Sequence, residues 1–305
     1  MFATITAVGS GQMGGILCKR FADKGHHVIM AGITESLEER NALAALKTIG
    51  KLEVATSLSS AVSTSKVIFT CLPNSDVVTS VYQQLLDEEP GLLNNIDFWL
   101  DATSGDPSKT VELANKLKKY KVDMVDCAVS GGPSGAEKGL LTAMVGGSKD
   151  ACNTAESFIE TFASNIVYAG DAGAGHAVKC VNNALLASNL WVASEGLIAL
   201  KKFGIKPSVA LEAINISSGR SWATQNRLPD YVLTRNFDYG FYLGLLEKDH
   251  ATCLNSIVHP TKSFAPILNL IHGYLKLSET HLSNPNADHV EIAKLIEQLS
   301  GEKLE

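Results

Sequence analysis

Over roughly the first 165 residues, short apolar or β-branched runs alternate with stretches whose apolar positions recur every three or four residues. Ala3–Val8, His27–Met30, Val67–Leu72, Phe98–Asp101, Met124–Asp126, Leu140–Val145 and Ile166–Tyr168 read as strands, and Ile16, Leu17 and Phe21 mark a helix after the first of them. Strands that alternate with helical segments predict a parallel sheet covered on both faces. From Gly175 onward the alternation stops and the helical period takes over. Helices are predicted over Ala177–Phe203, Pro207–Ile216, Asn226–Leu233, Leu243–Ser256, Phe264–Leu277 and Asp288–Leu299. The pattern therefore divides the chain into an α/β domain over 1–170 and an all-α domain over 171–305, joined by a long interdomain helix.

Composition fits this division and removes some function classes. A chain of 305 residues exceeds one ordinary domain, and 45% hydrophobic content supplies apolar material for two cores. The net charge of -6 comes with no basic stripe, which argues against nucleic acid as the main partner. Six cysteines lie singly with no CxxC pair, so neither a disulfide framework nor a metal site is expected. Lys201 and Lys202 close the most apolar stretch before it reaches the length of a membrane span. With a strand beginning at Ala3, no leader is expected, and the cytoplasm is the expected compartment.

The first strand runs straight into Gly9-Ser10-Gly11-Gln12-Met13-Gly14 and a helix. Strand, GxGxxG and helix in that order form the Rossmann-type dinucleotide fingerprint. Gly9 permits the tight turn, Gly11 lets a pyrophosphate approach the backbone, and Gly14 allows close packing of the helix, whose N-terminus faces the phosphates with Gln12 and Met13. NAD and NADP are harder to separate. After the second strand neither the acidic residue for a ribose 2′-OH nor the arginine for a 2′-phosphate stands at the usual place. Glu35 could serve the ribose, while Thr34, Ser36 and Arg40 could serve a phosphate, and the missing carboxylate tilts the reading to NADP.

Three more loops carry polar or turn-forming residues where parallel strands end. Leu72-Pro73-Asn74 and Ala102-Thr103-Ser104 follow two strands, at the edge where open α/β sheets bind ligands. Ser130-Gly131-Gly132 follows another, offering a hydroxyl beside two glycines whose N–H groups can approach a carboxylate. The same residue types also make ordinary turns and connectors. Lys179 then stands at the glycine-rich start of an apolar helix, with Asn183 one turn on along the same face. A lysine alone there would read as a solvated first turn; with the three loops it reads as part of a site.

These stretches occur in the order GSGQMG, CLPN, DATSGDP, DCAVSGGPSGAEKGLLTAMVGG, GAGHAVKCVNN and FYLGLLEKDHATCLN. In that order they resemble the β-hydroxyacid dehydrogenases, of the 3-hydroxyisobutyrate dehydrogenase and glyoxylate or succinic semialdehyde reductase kind, over nearly the whole chain. The resemblance implies that Lys179 is the catalytic acid and base, and that Asn183 binds and orients substrate. It implies that Ser130, Gly131 and Gly132 hold the substrate carboxylate, and that Lys248 lies near the cofactor with Asp249 as companion. Gly9, Gly11, Gln12, Met13, Gly14, Leu72, Pro73 and Thr103 complete the expected cofactor set. Two positions depart from the family: Ala128 replaces a usual proline, and Ile33 stands where NADP-using members often have arginine. Arg220 and Trp222 are candidates for shaping the pocket and equally for a helix cap and a core residue.

The implied reaction moves a hydride between nicotinamide and a small 3-hydroxy acid or its semialdehyde. Lys179 would take the hydroxyl proton on oxidation and return it on reduction. A free lysine titrates near about 10.4, so burial and a neighbouring Lys248 are expected to bring it down. Two other readings stand beside this one. One is a reductase chiefly of glyoxylate or succinic semialdehyde, and the other a dinucleotide-binding module without turnover. The expected partners are a small carboxylate substrate and further copies of the chain, as a homodimer or homotetramer.

Overall fold

The computed structural model describes residues 2–32 and 36–305, which form two compact units, Met1–Lys179 and Cys180–Glu305. Ile33, Thr34 and Glu35, named above for the ribose end of the cofactor, lie outside the described residues.

The first unit is built on one eight-stranded sheet in the order β3-β2-β1-β4-β5-β6-β7-β8. Its strands are β1 (Thr4–Val8), β2 (His27–Ala31), β3 (Lys51–Val54), β4 (Val67–Thr70), β5 (Phe98–Asp101), β6 (Asp123–Ser130), β7 (Leu141–Gly146) and β8 (Ala163–Gly170). Between them run α1 (Gln12–Asp23), α2 (Leu37–Ala44), α3 (Leu58–Val62), α4 (Ser75–Glu88), α5 (Pro107–Leu117), α6 (Gly132–Lys138) and α7 (Lys149–Ile159). The helices begin where the sequence supplies caps. Asn74 accepts from Val77 N at 3.0 Å to start α4, and Asp106 accepts from Ser108 N at 2.8 Å, with Pro107 in the first turn of α5.

Each face of the sheet has its own apolar layer. On one, Phe21 meets Phe69 edge to face at 5.0 Å and Phe162 at 5.7 Å. On the other, Trp99, Leu85, Leu93 and Leu117 are buried together. Aromatic pairs of this geometry add about 1 kcal/mol each beyond the area they bury.

Two features differ from the pattern read in the sequence. The sheet is not wholly parallel, because β7 runs antiparallel to β6. Residues 131–140 between them hold only the short α6, too little chain for a parallel crossover, which needs a dozen residues or more. Strand β3 escaped the pattern because Lys51 and Glu53 occupy half of it, as suits an edge strand paired only to β2.

The second unit is helical throughout. Helix α8 (Ala174–Lys202) enters it from the first unit and is followed by α9 (Pro207–Asn215), α10 (Leu243–Cys253), α11 (Pro266–Leu282) and α12 (Ile292–Ser300). Trp191 of α8 stacks on Tyr274 of α11 at 4.5 Å, and Leu190, Leu197, Leu246, Leu275 and Leu295 bury around that pair. The predicted helix over Asn226–Leu233 is a π-helical segment, Ala223–Val232. Pro229 within it has no N–H to donate, and Leu233 N reaches back five residues to Leu228 O at 2.9 Å. A second π-helical stretch, Leu254–Val258, continues α10. Among the described residues no helix is long and apolar enough to cross a membrane.

Candidate active site

The strand order reverses between β1 and β4, since β1 is followed by β2 on one side while β4 leads to β5 on the other. A crevice opens at the carboxyl ends of strands at such a point. Gly9 to Gly14 occupy that edge after β1, and Leu72 and Pro73 follow β4. Gly9 adopts φ +96°, and a Cβ there would fall inside the carbonyl oxygen of Cys71. A Cβ on Gly14 would likewise collide with the carbonyl of Gly9 and approach Cys71. The helix therefore packs onto the loop itself and onto the residue that follows β4. Gly11 is the N-cap of α1, no side chain caps that helix, and Gln12 and Met13 are its first residues. The loop presents backbone, as binding of a pyrophosphate requires.

Thr103 is buried and its hydroxyl accepts Leu72 N–H at 3.0 Å, so it ties the loop after β4 to the loop after β5. Asp101 supports both, accepting Thr70 Oγ1 at 2.8 Å and Thr103 N at 3.1 Å through Oδ1. Ser130 is the last residue of β6, and Gly131 and Gly132 follow at φ +131° and +67°. Ala128, where the resembled family has proline, lies within β6 opposite Met144. At the ribose end, Ser36 is engaged as the cap of α2, accepting Glu39 N at 3.1 Å. Arg40 lies over the end of β2, where a Cβ on Gly32 would run into its guanidinium. The Arg40 Nε is buried and has no hydrogen-bond partner among the described residues.

The start of α8 is fixed by a residue the sequence reading missed. Asp126, fully buried at mid-length in β6, accepts Gly173 N at 2.6 Å and His176 N at 2.9 Å, one with each carboxylate oxygen. Its charge answers the positive end of the helix. A Cβ on Gly146 or Gly175 would strike this carboxylate, and Gly173 needs φ +92°. Of the glycines in the GAGHAVK stretch, Gly175 leaves room for Asp126 and for the Met144 carbonyl, and Gly173 leaves room for the Pro107 carbonyl. His176 is held from the other side, its Nδ1 2.8 Å from Thr110 Oγ1. Lys179 follows one turn later and is only 9% exposed. It is not a solvated lysine.

Asn183, one turn further along α8, is 3% exposed. Its amide nitrogen donates to Asp249 Oδ2 at 2.6 Å, and its oxygen accepts Asn182 Nδ2 at 3.1 Å. The Lys248 ammonium lies 3.0 Å from Asp249 Oδ1, close enough for an ion pair though not aligned as a hydrogen bond. Asn183 and Lys248 thus both lie against Asp249, a link that the sequence reading did not make. Trp222 is 60% exposed, so it is no core residue. No group of three or more possible metal ligands occurs among the described residues.

A model of the NAD binding domain of 6-phosphogluconate dehydrogenase matches residues 4–170, and one for the NAD-binding of NADP-dependent 3-hydroxyisobutyrate dehydrogenase matches 173–296. The chain is 34% identical to a probable mitochondrial 3-hydroxyisobutyrate dehydrogenase of Dictyostelium discoideum over 262 residues, 83% of this chain and 78% of that protein. It is 36% identical to 2-(hydroxymethyl)glutarate dehydrogenase of Eubacterium barkeri over 195 residues, 63% of this chain and 64% of that one. The Mycobacterium tuberculosis 3-hydroxyisobutyrate dehydrogenase structure with L-serine shares the fold at a TM-score of 0.85, covering 97% of this chain and 99% of that one at 24% identity. By its matched domains and relatives, the chain belongs to the β-hydroxyacid dehydrogenases and is an NAD(P)-dependent oxidoreductase of that family.

Proposed function

We propose that the chain interconverts a small 3-hydroxy acid and its semialdehyde, with Lys179 as the proton donor and acceptor. The observation that carries this is the burial of Lys179 on a helix whose start is anchored by Asp126. When bound, the dinucleotide supplies or accepts the hydride. The Lys179 Nζ takes the hydroxyl proton on oxidation and gives it to the carbonyl oxygen on reduction. Ser130 with the backbone of Gly131 and Gly132 holds the carboxylate, and Asn183, fixed by Asp249, orients the reacting oxygen. Gly9, Gly11, Gln12, Met13, Gly14, Leu72, Pro73 and Thr103 hold the dinucleotide, with Lys248 beside it.

NADP is the preferred dinucleotide in this reading. The support is Arg40, a guanidinium at the end of β2, where the 2′-phosphate would come, with an Nε that has no partner among the described residues. The substrate candidates are 3-hydroxyisobutyrate and 2-(hydroxymethyl)glutarate, the acids for which the two relatives are named. Neither a chiefly aldehyde-reducing enzyme nor a module without turnover gains an observation in its favour. A homodimer or homotetramer is supported by exposed apolar residues on one side of α8 (Val181, Leu185, Val192) and of α11 (Ile267, Leu270, Leu277). The six free thiols suit a reducing compartment such as the cytoplasm.

The test is turnover of both hydroxy acids with NADP and with NAD. Oxidation of either acid, lost in Lys179→Ala while cofactor still binds, is the expected result. Equal loss of cofactor binding and turnover would remove Lys179 from proton transfer.

A further inference from the structure

The helical unit holds a buried cation that the proposed reaction does not use. Arg227 is 7% exposed, on the π-helical segment Ala223–Val232. Its guanidinium carbon lies 3.5 Å from the centre of the Tyr239 ring, in cation–π contact. Its Nε is buried without a hydrogen-bond partner, and it forms no ion pair among the described residues. Buried charges are ordinarily paired, because taking an ion out of water costs more than an aromatic face returns. π-helical segments, moreover, occur often at functional sites.

The carboxylate beside His289, whose ring meets Tyr239, is already committed. Asp288 accepts Gly240 N at 2.7 Å and Phe241 N at 3.2 Å with one oxygen. The other accepts Val290 N at 3.2 Å and lies 2.9 Å from His289 Nδ1. His289, whose ring meets Tyr239 at 5.4 Å, adds no second positive charge, since burial holds its pKa below the ordinary value.

We propose that Arg227, backed by Tyr239, is the anchor of a binding site for a small organic carboxylate within the helical unit. A single guanidinium balances a single negative charge, and its planar fork matches the two oxygens of a carboxylate. Tyr231 and Tyr239, edge to face at 5.4 Å, provide an aromatic wall for the carbon body of such an acid. The carboxylate is either a second acidic group of the substrate or that of a separate ligand. The first case rests on the dehydrogenase reading and makes Arg227 a residue that selects dicarboxylic hydroxy acids; the second does not.

Succinate is the probe, with neutral succinamide as control. The purified full chain is melted with each at tens of millimolar, together with Arg227→Gln and Arg227→Lys. Succinate should raise the Tm of the wild-type chain while succinamide does not. The shift should be lost in Arg227→Gln and reduced in Arg227→Lys, which keeps the charge without the fork. If Arg227→Gln fails to fold, the wild-type contrast and Arg227→Lys decide.

Turnover then separates the two sources. A tenfold or larger rise in the ratio of KM for 2-(hydroxymethyl)glutarate to KM for 3-hydroxyisobutyrate in the variants, with succinate competitive, assigns the carboxylate to the substrate. An unchanged ratio with non-competitive succinate assigns it to a separate ligand. Equal stabilisation of wild type and Arg227→Gln by succinate, or none of wild type, overturns the proposal. Because the melting shift needs neither cofactor nor turnover, its success without oxidation of either acid would sink the dehydrogenase reading and leave Arg227 standing.

Discussion

The two units satisfy buried polar groups by different means. In the α/β unit the buried carboxylates of Asp101 and Asp126 bond to backbone N–H groups of loops and of a helix start. In the helical unit most backbone donors and acceptors are used within the helices; Asp288 reaches free N–H groups in a loop and at a helix start, and buried side chains elsewhere must find one another. Asn183 and Asp249 do so, whereas Arg227 and both ring nitrogens of His250 do not among the described residues. A sheet that ends in loops supplies free backbone donors to any anion placed there; a helical bundle supplies them only at helix ends. The first unit is therefore suited to hold phosphate and carboxylate through main chain, and the second to discriminate through side chains.

The comparison can be broken most severely at the proton-transfer residue. Lys179→Ala should lower kcat by about a thousandfold, the usual scale of general acid–base catalysis, with the Kd for NADPH nearly unchanged. Gly14→Val should raise that Kd by about a hundredfold, or about 2.8 kcal/mol, because its side chain must displace the Gly9 carbonyl. Tight binding by this variant in a fluorescence titration would contradict a backbone-held pyrophosphate.

Asp126→Asn tests the main-chain anchoring itself. One of the two N–H donors would face an amide NH2, costing about 2 kcal/mol of stability. The shifted helix should lower kcat about tenfold more than it changes the cofactor Kd. A variant that melts lower yet keeps full kcat would make Asp126 structural only. Arg40→Gln should weaken NADPH about tenfold and leave NADH nearly unaffected, sharpening the cofactor assignment.

The smallest effect concerns the unpaired bases of the helical unit. Burial, and secondarily His272 stacked on it at 5.7 Å, lowers His250 from 6.5 to about 4. His272 is lowered as well, while nearby Glu247 and Glu279 are raised, each chiefly by burial, and Lys276 is the cation among them. Between pH 6.5 and about 4 the unfolded chain binds the His250 proton and the folded chain resists it, so stability rises with pH across that window. Allowing for partial solvent screening, acidification through it should cost on the order of 1 to 2 kcal/mol. Urea midpoints measured in His250→Leu should show a flatter dependence; an identical slope would clear His250 of that role.

Much of the fold was legible because periodicity reports burial. The Gly9 to Gly14 loop, the strands and the helical second half follow from patterns a few residues long. What was not legible depended on partners distant in sequence. Asp126 and Gly173 are 47 residues apart, and nothing local marks one as the acceptor of the other. Asn183 and Asp249 meet across 66 residues, and the sequence reading named both without linking them. The π-helical turn around Pro229 read as ordinary helix because its apolar spacing is nearly the same. Strand β3 was lost because an edge strand buries too little to show alternation.

Gly9 and Gly14 also constrain what the gene can become. Every change that replaces either glycine with another amino acid introduces at least a Cβ, and at either position that atom would meet a main-chain carbonyl that cannot be trimmed away. Adjacent repairs offer no escape, since the obstructing oxygens belong to Gly9 itself and to Cys71, whatever side chains they carry. The dinucleotide loop thus has no room for another amino acid at these two positions, whereas a site built from side chains, as proposed for the helical unit, can be retuned one substitution at a time.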